Sequence, residues 1–572
     1  MRNQIAGTRY RTAEDLERAL GDPARPTGPF SHVQLAEADD SKQMPWAAMA
    51  ALRAFGFHRF LVPERLGGRL RSLEEFFALC RSVARRDLRP IVAYGSTLLG
   101  ANPVWLWGTS AQQRLVAGHI LTGGLGSFAM SERDHGSDLA GCACAAERQG
   151  DDFVLRGEKW LVGNASRGEF LTLYAKTGRR DFSLLLVDKR ELSPGGWRNL
   201  PAVPTLGLRG HDLSGIVFEG CSVPGDALLG HEGTGLVQTL KALQITRTLI
   251  SAMSLGTLDT CLRIAAAHAA GRRLYGAPAS ELPAVRDVLL RAYLDLLIGE
   301  CLAIPTTRAI TEAPGRLSLW SAIVKYFVPL LAEEAVADLA TVLSARYYLR
   351  DTVAARTFQR LQRDHAIAGI FEGTSHVNLG SIAAQLPFVL DRKPGGDPEP
   401  ALTALFSRSR DARAWQPRGA DLQLTNGGHD EITAGWEPAV AEVARLAGSG
   451  DRTATALVPV MAEFGRWRAR YSAEVLAQAD GHRDRHVPAR SLTLAKIHCV
   501  CHAAACAVLT WLHNRERYAG QAWVVLCLQR LLQRLDASAE LDTALLPELE
   551  RQLETQRKEN LLLSLAPITL AN

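Results

Sequence analysis

The residues best placed to do chemistry fall in one stretch, Arg363-Asp364-His365-Ala366-Ile367-Ala368-Gly369-Ile370-Phe371-Glu372-Gly373-Thr374-Ser375-His376. Glu372 stands between apolar Phe371 and Gly373. Apolar surroundings disfavour the charged form of a carboxylate and raise its pKa. That is the condition for a general base working on a weakly acidic C–H. Gly373 lets a second backbone or a ligand approach closely, and Thr374 and Ser375 add backbone and hydroxyl donors. The same string also reads as a loop in which Glu372 caps the next helix, and composition alone makes that the commoner role for a lone glutamate. A second stretch, Phe128-Ala129-Met130-Ser131-Glu132-Arg133-Asp134-His135-Gly136-Ser137-Asp138, is donor-rich and suits a polar cofactor edge. By itself Gly136-Ser137-Asp138 is only a turn signal.

The elements around these stretches change texture along the chain. Up to about Gly124 the pattern is helical, with Trp46, Met49, Leu52 and Phe55 at spacings of three and Leu73, Phe76, Phe77 and Cys80 repeating it. From Leu125 to about Gly235, short β-rich runs sit between glycine turns: Phe153–Leu155, Phe170–Tyr174, Ser183–Val187 and Ile216–Phe218. Helical periodicity returns with Leu255, Leu258, Leu262, Ala265 and Ala269, and continues through 290–302 and 317–343. Lys393-Pro-Gly-Gly-Asp-Pro-Glu-Pro400 breaks every pattern and reads as a linker. Beyond it Leu457, Val460, Met461, Phe464, Trp467 and Tyr471 form one apolar face, and Val524 to Leu535 another. The expected fold is α+β, mainly α: an N-terminal helical domain (1–125), a small β-barrel-like or β-sandwich middle domain (126–235), a four-helix-bundle domain (236–390), then a linker and C-terminal helical extension (391–572).

Length and charge exclude several classes. A chain of 572 residues with 65 Lys+Arg against 60 Asp+Glu carries +5, and no long basic run concentrates it. That argues against a nucleic-acid partner. Hydrophobic residues at 47% and charged residues at 22% describe a globular protein with ample core. The N-terminal Met1-Arg2-Asn3-Gln4 leads into charge rather than an apolar signal region. The run Cys499–Leu512 is short for a bilayer span and His502 interrupts it. Ten scattered cysteines point to a reduced, cytoplasmic chain.

Taken together and in order, these motifs resemble the acyl-CoA dehydrogenases. The family's Thr-Glu-Pro-x-x-Gly-Ser-Asp motif is matched by Ser131 to Asp138, and its Arg-Asp…(Tyr/Phe)-Glu-Gly-Thr-Ser signature by Arg363-Asp364 and Phe371 to Ser375. Between them lie Val223-Pro224, Leu228-Leu229-Gly230 and Gly233-x-Gly235, and Arg272-Arg273-Leu274-Tyr275-Gly276 resembles Arg-x-x-Phe-Gly. Upstream, Pro63-Glu64, Gly67-Gly68 and Gly108-Thr109 fit the N-terminal domain. The resemblance spans roughly residues 35–390.

It implies an FAD enzyme of fatty acid metabolism that oxidises an acyl thioester, carried on CoA or a carrier protein, across its α,β bond. Glu372 would abstract the α-proton while the β-hydrogen leaves as hydride to flavin N5. The backbone N–H of that glutamate and a flavin ribityl hydroxyl would steady the carbonyl oxygen. Phe128, Met130, Ser131, Gly136 and Ser137 would lie along the flavin and acyl chain, and Thr374 and His376 would approach the FAD. Arg272 and Tyr275 would reach the FAD of a neighbouring subunit in a homodimer or homotetramer. Ser137, Gln244, Arg247 and Gly373 would touch substrate, Arg247 beside the thioester arm. A helix-surface charge is an equal reading of Arg247. An electron-transfer flavoprotein is the expected acceptor. An oxidase using O2, or a flavin-poor interaction subunit, are the alternatives.

The departures fall on the flavin side. The family's Lys-x-Trp-Ile-Thr-Asn becomes Lys159-Trp160-Leu161-Val162-Gly163-Asn164, with the tryptophan one place early and glycine for threonine. Arg133 replaces the proline after Glu132, Pro283 replaces a flavin-contacting glutamine, and Leu343-Ser344-Ala345-Arg346-Tyr347-Tyr348 stands near the place of Gln-x-x-Gly-Gly-x-Gly. The extension resembles that of very-long-chain members, which associates with membrane surfaces and dimer contacts, although no motif here ties it to a membrane. His498, His502 and Cys506 share one helix face at spacings suited to a metal. With no second ligand pair in sequence, buried packing is the favoured reading and no metal is expected.

Overall fold

Hydroxyl caps mark several helix starts. In the computed structural model, which describes residues 10–392, 396–479, 487–518 and 521–571, Ser72 accepts from Glu75 N at 3.2 Å and opens one helix. Thr109 and Gln112 form a reciprocal capping box at another. Among the described residues the N-terminal region holds six α-helices: α1 (Arg11–Leu20), α2 (His32–Asp40), α3 (Trp46–Phe55), α4 (Leu73–Ala84), α5 (Leu88–Trp107) and α6 (Ser110–Leu121). The box residue Gln112 also donates from Nε2 to the carbonyls of Asp226 and Leu228, at 2.7 and 3.0 Å, stitching this layer to the end of the β-domain.

The β-domain is one curled sheet of β1 (Gly126–Ala129), β2 (Ala145–Gln149), β3 (Asp152–Gly163), β4 (Phe170–Lys176), β5 (Phe182–Asp188), β6 (Trp197–Leu200) and β7 (Leu213–Pro224). The strand order is β1-β4-β2-β3-β7-β6, with β5 on the outer side of β4. Every β-rich run read from the sequence lies in one of these strands. The sheet encloses its own apolar core around Phe153, Leu155, Leu173, Val187 and Ile216. The long pair β3–β7 slips register at Leu155/Arg156 and Trp160/Val162, leaving Leu161 unpaired with φ +58°. A bulge of this kind bends a strand and re-aims its side chains.

The bundle follows: α7 (Gly235–Leu249), α8 (Ser251–Gly271), the hairpin β8 (Arg273–Leu274) and β9 (Ala277–Pro278), then α9 (Pro283–Glu312), α10 (Leu317–Leu343), α11 (Ala345–Tyr348), α12 (Val353–His365) and α13 (Ser375–Asp391). Of the expected linker, Lys393, Pro394 and Gly395 lie outside the described residues. The extension adds α14 (Glu399–Phe406), α15 (Glu431–Ala434), α16 (Trp436–Gly448), α17 (Arg452–Ala479), α18 (Ala489–Leu512), α19 (Ala522–Leu532) and α20 (Leu546–Lys558).

The extension shares the bundle's core. Trp511, Trp523, Leu526 and Leu563 belong to the same apolar cluster as Leu258, Leu297 and Trp320. Buried ion pairs lock it in: Arg408 and Arg308 both pair with Glu74, at 3.1 and 3.3 Å. Arg81 pairs with Glu300 at 3.0 Å and donates to Leu563 O at 2.7 Å, while Ser564 Oγ donates to the other Glu300 oxygen. Two helical stretches, residues 235–271 and Ala489–Leu512, are long and apolar enough to cross a bilayer. The second differs from the short run expected from the sequence because the helix starts ten residues before Cys499. Both are mostly buried against other helices, so their apolarity is that of core packing.

Candidate functional site

α12 ends at His365, a 3-10 turn runs through Ala366–Gly369, and the chain reverses through Phe371-Glu372-Gly373 into α13. Glu372 has φ +55° and Gly373 φ +101°. The left-handed region is costly for a residue with a Cβ, so neighbours must hold Glu372 there. Arg247 does so: from near the end of α7 its Nε donates to the Glu372 carbonyl at 2.7 Å. A Cβ on residue 373 would lie 2.8 Å from Nη2 of the same guanidinium. Glycine is therefore needed there for its backbone and for space. Arg247 is buried, which removes the surface-charge reading. Thr374 caps α13, its Oγ1 accepting from Val377 N at 3.3 Å, which removes the capping reading of Glu372.

Burial pushes the Glu372 carboxyl above the ordinary range, and Thr246, Lys325 and Arg247 pull it back without cancelling the effect. Its Oε2 is buried without a hydrogen-bond partner. Lys325 reaches this loop from α10, donating to Ala368 O at 2.6 Å with its ammonium 5.3 Å from the Phe371 ring centre. Burial brings its pKa down to about 8, against the upward pull of Glu372. Below it, His365 Nε2 lies 2.8 Å from Ser254 Oγ, and burial lowers this imidazole to about 4, so it is neutral. The arrangement is a carboxylate of raised proton affinity beside a buried cation. Lys325 was missed in the sequence because it interrupts an apolar helix stripe, where a lysine ordinarily only reaches for solvent.

The Arg363-Asp364 pair braces this loop against the other domains. Arg363 pairs with Asp39 on α2 at 2.5 Å and donates to Leu206 O at 3.1 Å. Asp364 Oδ1 accepts from Leu208 N at 2.6 Å. A Cβ at Gly207 would come 2.3 Å from the Arg363 carbonyl. Gln244, expected at the substrate, is buried and donates from Nε2 to Gln423 O at 2.7 Å, anchoring the segment between α14 and α15.

A second cluster sits on the β-domain. Phe128 is buried on β1, and Met130 and Ser131 follow it, half-buried. Ser131 Oγ donates to Trp160 O at 2.9 Å while Trp160 N donates to Ser131 O at 3.0 Å. Lys159, fully buried, donates to Met130 O and to Glu132 Oε1, each at 2.8 Å. Glu132 also accepts from the backbone of Ala143 and Cys144, so it pins this turn. Gly136 and Ser137 lie exposed on the loop beyond. Leu161, at the bulge, is 41% exposed. A Cβ at Gly163 would lie 2.4 Å from Ser96 Oγ and 3.4 Å from His211 Nε2. Ser96 thus fills the space that a threonine side chain at 163 would need. Both ring nitrogens of buried His211 lack partners. Neither Ser96 nor His211 carries a local sequence signal.

A third group stands apart. Arg272 precedes the β8–β9 hairpin, and Tyr275 at its tip has φ +52° and is 95% exposed. Arg272 Nη1 reaches Ser344 Oγ at 3.4 Å, so the hairpin adjoins the segment where the Gly-Gly motif was expected. Thr374 is half-buried and His376 exposed at the start of α13.

Residues 31–124 match the acyl-CoA dehydrogenase N-terminal domain, 127–221 the middle domain and 233–386 the C-terminal domain, in that order. The chain belongs to the acyl-CoA dehydrogenase family. It is accordingly an oxidoreductase acting on a CH–CH bond. It is 27% identical over 347 residues to the probable acyl-CoA dehydrogenase FadE25 of Mycobacterium tuberculosis, covering 60% of this chain and 87% of that relative. It is 26% identical over 376 residues to the human mitochondrial short-chain specific acyl-CoA dehydrogenase, covering 61% and 85%. Among solved structures, butyryl-CoA dehydrogenase from Megasphaera elsdenii superposes with TM-score 0.60 at 20% identity over 67% of this chain and 98% of that one. An acyl-CoA dehydrogenase from Bacillus anthracis, solved complexed with FAD, superposes with TM-score 0.67 at 18% identity over 98% of this chain and 92% of that one. That second likeness takes in the extension too.

Proposed function

We propose that this chain is an FAD-dependent α,β-dehydrogenase of acyl thioesters and that Glu372 is its base. The observation that carries the reading is the buried, raised-pKa carboxylate of Glu372, held in a left-handed turn by Arg247. Removal of the α-proton makes Glu372 a neutral acid, which its surroundings favour. The β-hydrogen leaves with its electron pair, and the α,β double bond forms. The buried charges of Arg247 and Lys325 offset the negative charge that develops on the thioester as the proton leaves.

The chain's residues fit FAD. Hydroxyls of Ser96, Ser131, Ser137 and Thr374, the exposed apolar Leu161 and the unpartnered ring nitrogens of His211 suit a flat heteroaromatic ring edged with polar atoms. Phe128, Met130 and Gly136 belong to the segment that runs from β1 into the turn beyond it, and His376 stands two residues after Thr374. Bound there, FAD supplies the two-electron acceptor. Arg272, just before the hairpin, and Tyr275, at its exposed tip, would serve the FAD of a second copy. An electron-transfer flavoprotein is the acceptor we assign. The domain limits 1–125, 126–235, 236–390 and 391–572 are part of the same reading, with chemistry confined to the first three.

Glu372→Gln tests it. The variant should keep bound FAD and its yellow colour but lose bleaching of the flavin by a panel of acyl thioesters. Bleaching that survives would show that another group is the base.

A further inference from the structure

The C-terminal extension contains a buried side-chain cluster that the dehydrogenase chemistry does not use. α18 places His498 and His502 four residues apart on one face, and both imidazoles are fully buried. The sequence alone, which offered Cys506 as the third residue of this face, supplied no ligand from outside the helix. The fold does: Asp430, the cap of α15, comes from 68 residues upstream, and one ligand atom from each of the three lies within 4.8 Å of the others. Cys506, the other residue of that helix face, is not in this group.

The state of the donor atoms points to a ligand. His498 Nε2 and both ring nitrogens of His502 are buried without a partner. Leaving such groups unpaired in an interior costs free energy that a bound ion would recover. The outer contacts resemble those that orient metal ligands. Tyr471 Oη lies 3.1 Å from His498 Nδ1, leaving Nε2 for an ion. Trp320 Nε1 donates to Asp430 Oδ1 at 3.0 Å, and Thr433 Oγ1 to Oδ2 at 2.6 Å. One charge opposes a cation: Arg468 acts on both imidazoles. It is drawn aside, its guanidinium 5.2 Å from the Trp436 ring centre and donating to Thr433 O at 3.2 Å.

We propose that Asp430, His498 and His502 bind one divalent transition-metal ion, zinc by its affinity for imidazole and carboxylate donors. The ion is structural. Trp320 lies five residues before Lys325 on α10, so a metal bound at Asp430 clamps the extension to the helix that carries the cation beside Glu372. Bonds of about 2.0–2.2 Å require the three side chains to draw together slightly. A water completes the tetrahedron.

The test uses the full-length, FAD-loaded protein, stripped with a chelator and titrated with Zn2+ by calorimetry and with Co2+ by visible absorption. One zinc per chain with submicromolar Kd is expected, together with a rise in melting temperature. Cobalt should give ligand-field bands without a thiolate charge-transfer band. Asp430→Asn and His498→Gln should each weaken zinc binding by at least about a hundredfold. No stoichiometric zinc uptake by the wild-type chain would overturn the site. Unchanged affinity in either variant would do so too, and a cobalt–thiolate band would place the ion on the cysteines. Should the variants fail to fold, the wild-type cobalt spectrum decides alone.

Discussion

Arg247 holds the backbone of Glu372, not its carboxylate: Nε donates to the main-chain carbonyl at 2.7 Å, while the carboxylate keeps one oxygen buried and unpartnered. The arginine therefore fixes the direction in which the base points while leaving a lone pair free to accept a proton. Hydrogen bonds from charged groups contribute about 1.5–3 kcal/mol. Arg247→Gln should lower kcat by roughly 10- to 100-fold with FAD content unchanged. Gly373→Ala, which meets the same guanidinium, should fall at least as far. Steady-state kinetics with flavin quantitation checks both. Full activity in either would show that the turn needs no support.

The pH dependence follows from the same loop. The folded pKa of Glu372 is raised by burial, so its base form appears only above the ordinary carboxylate value of about 4.3. The acid limb of kcat/KM should therefore lie above that value. Lys325 lowers the proton affinity of Glu372 through its charge, and that charge is lost as pH rises through about 8. Lys325→Met should move the acid limb to higher pH. A limb that stays in place would mean the two groups do not interact.

Stability should decline in mild acid. Burial holds His211 and His365 at about 4 in the folded chain, below their ordinary value of 6.5. The unfolded chain then binds more protons between those values, so stability is lost as pH falls from about 6.5 towards 4. Asp364, raised to about 6 by burial and then by Asp87, and Glu372, also raised by burial, work in the opposite sense, while His32, lowered by burial to about 3, adds to the loss. The melting temperature should be several degrees lower at pH 5 than at pH 7. His211→Gln should shrink that difference.

The extension is bound by charge as well as by apolar surface. Glu300 takes Arg81 on one oxygen and Ser564 on the other, all three buried. Breaking such a pair leaves an uncompensated charge and costs about 3–5 kcal/mol. Glu300→Ala should lower the denaturation midpoint accordingly. The more conservative Ser564→Ala should cost about 1 kcal/mol. Equal losses would mean that packing dominates.

The sequence by itself determined the order of layers, the strand-forming runs and the position of Glu372, because each depends on neighbours along the chain. Short runs of β-forming residues between glycine turns marked Phe170–Tyr174 and Ser183–Val187 as strands. Phe371 and Gly373 announced an apolar setting for the glutamate between them. The tertiary structure decided what lies between distant segments. It decided between the two readings of Arg247 by setting it against the Glu372 backbone, joined Gln244 to the extension, and let Ser96 fill the space beside Gly163. It set Lys325 beside a loop more than forty residues ahead, and Asp430 beside two histidines whose helix offered only Cys506 as a third ligand. It also merged the last third of the chain with the bundle core instead of leaving it as an appendage. Periodicity records which face of an element is buried. Which partner buries it depends on three-dimensional packing, and no local pattern records that.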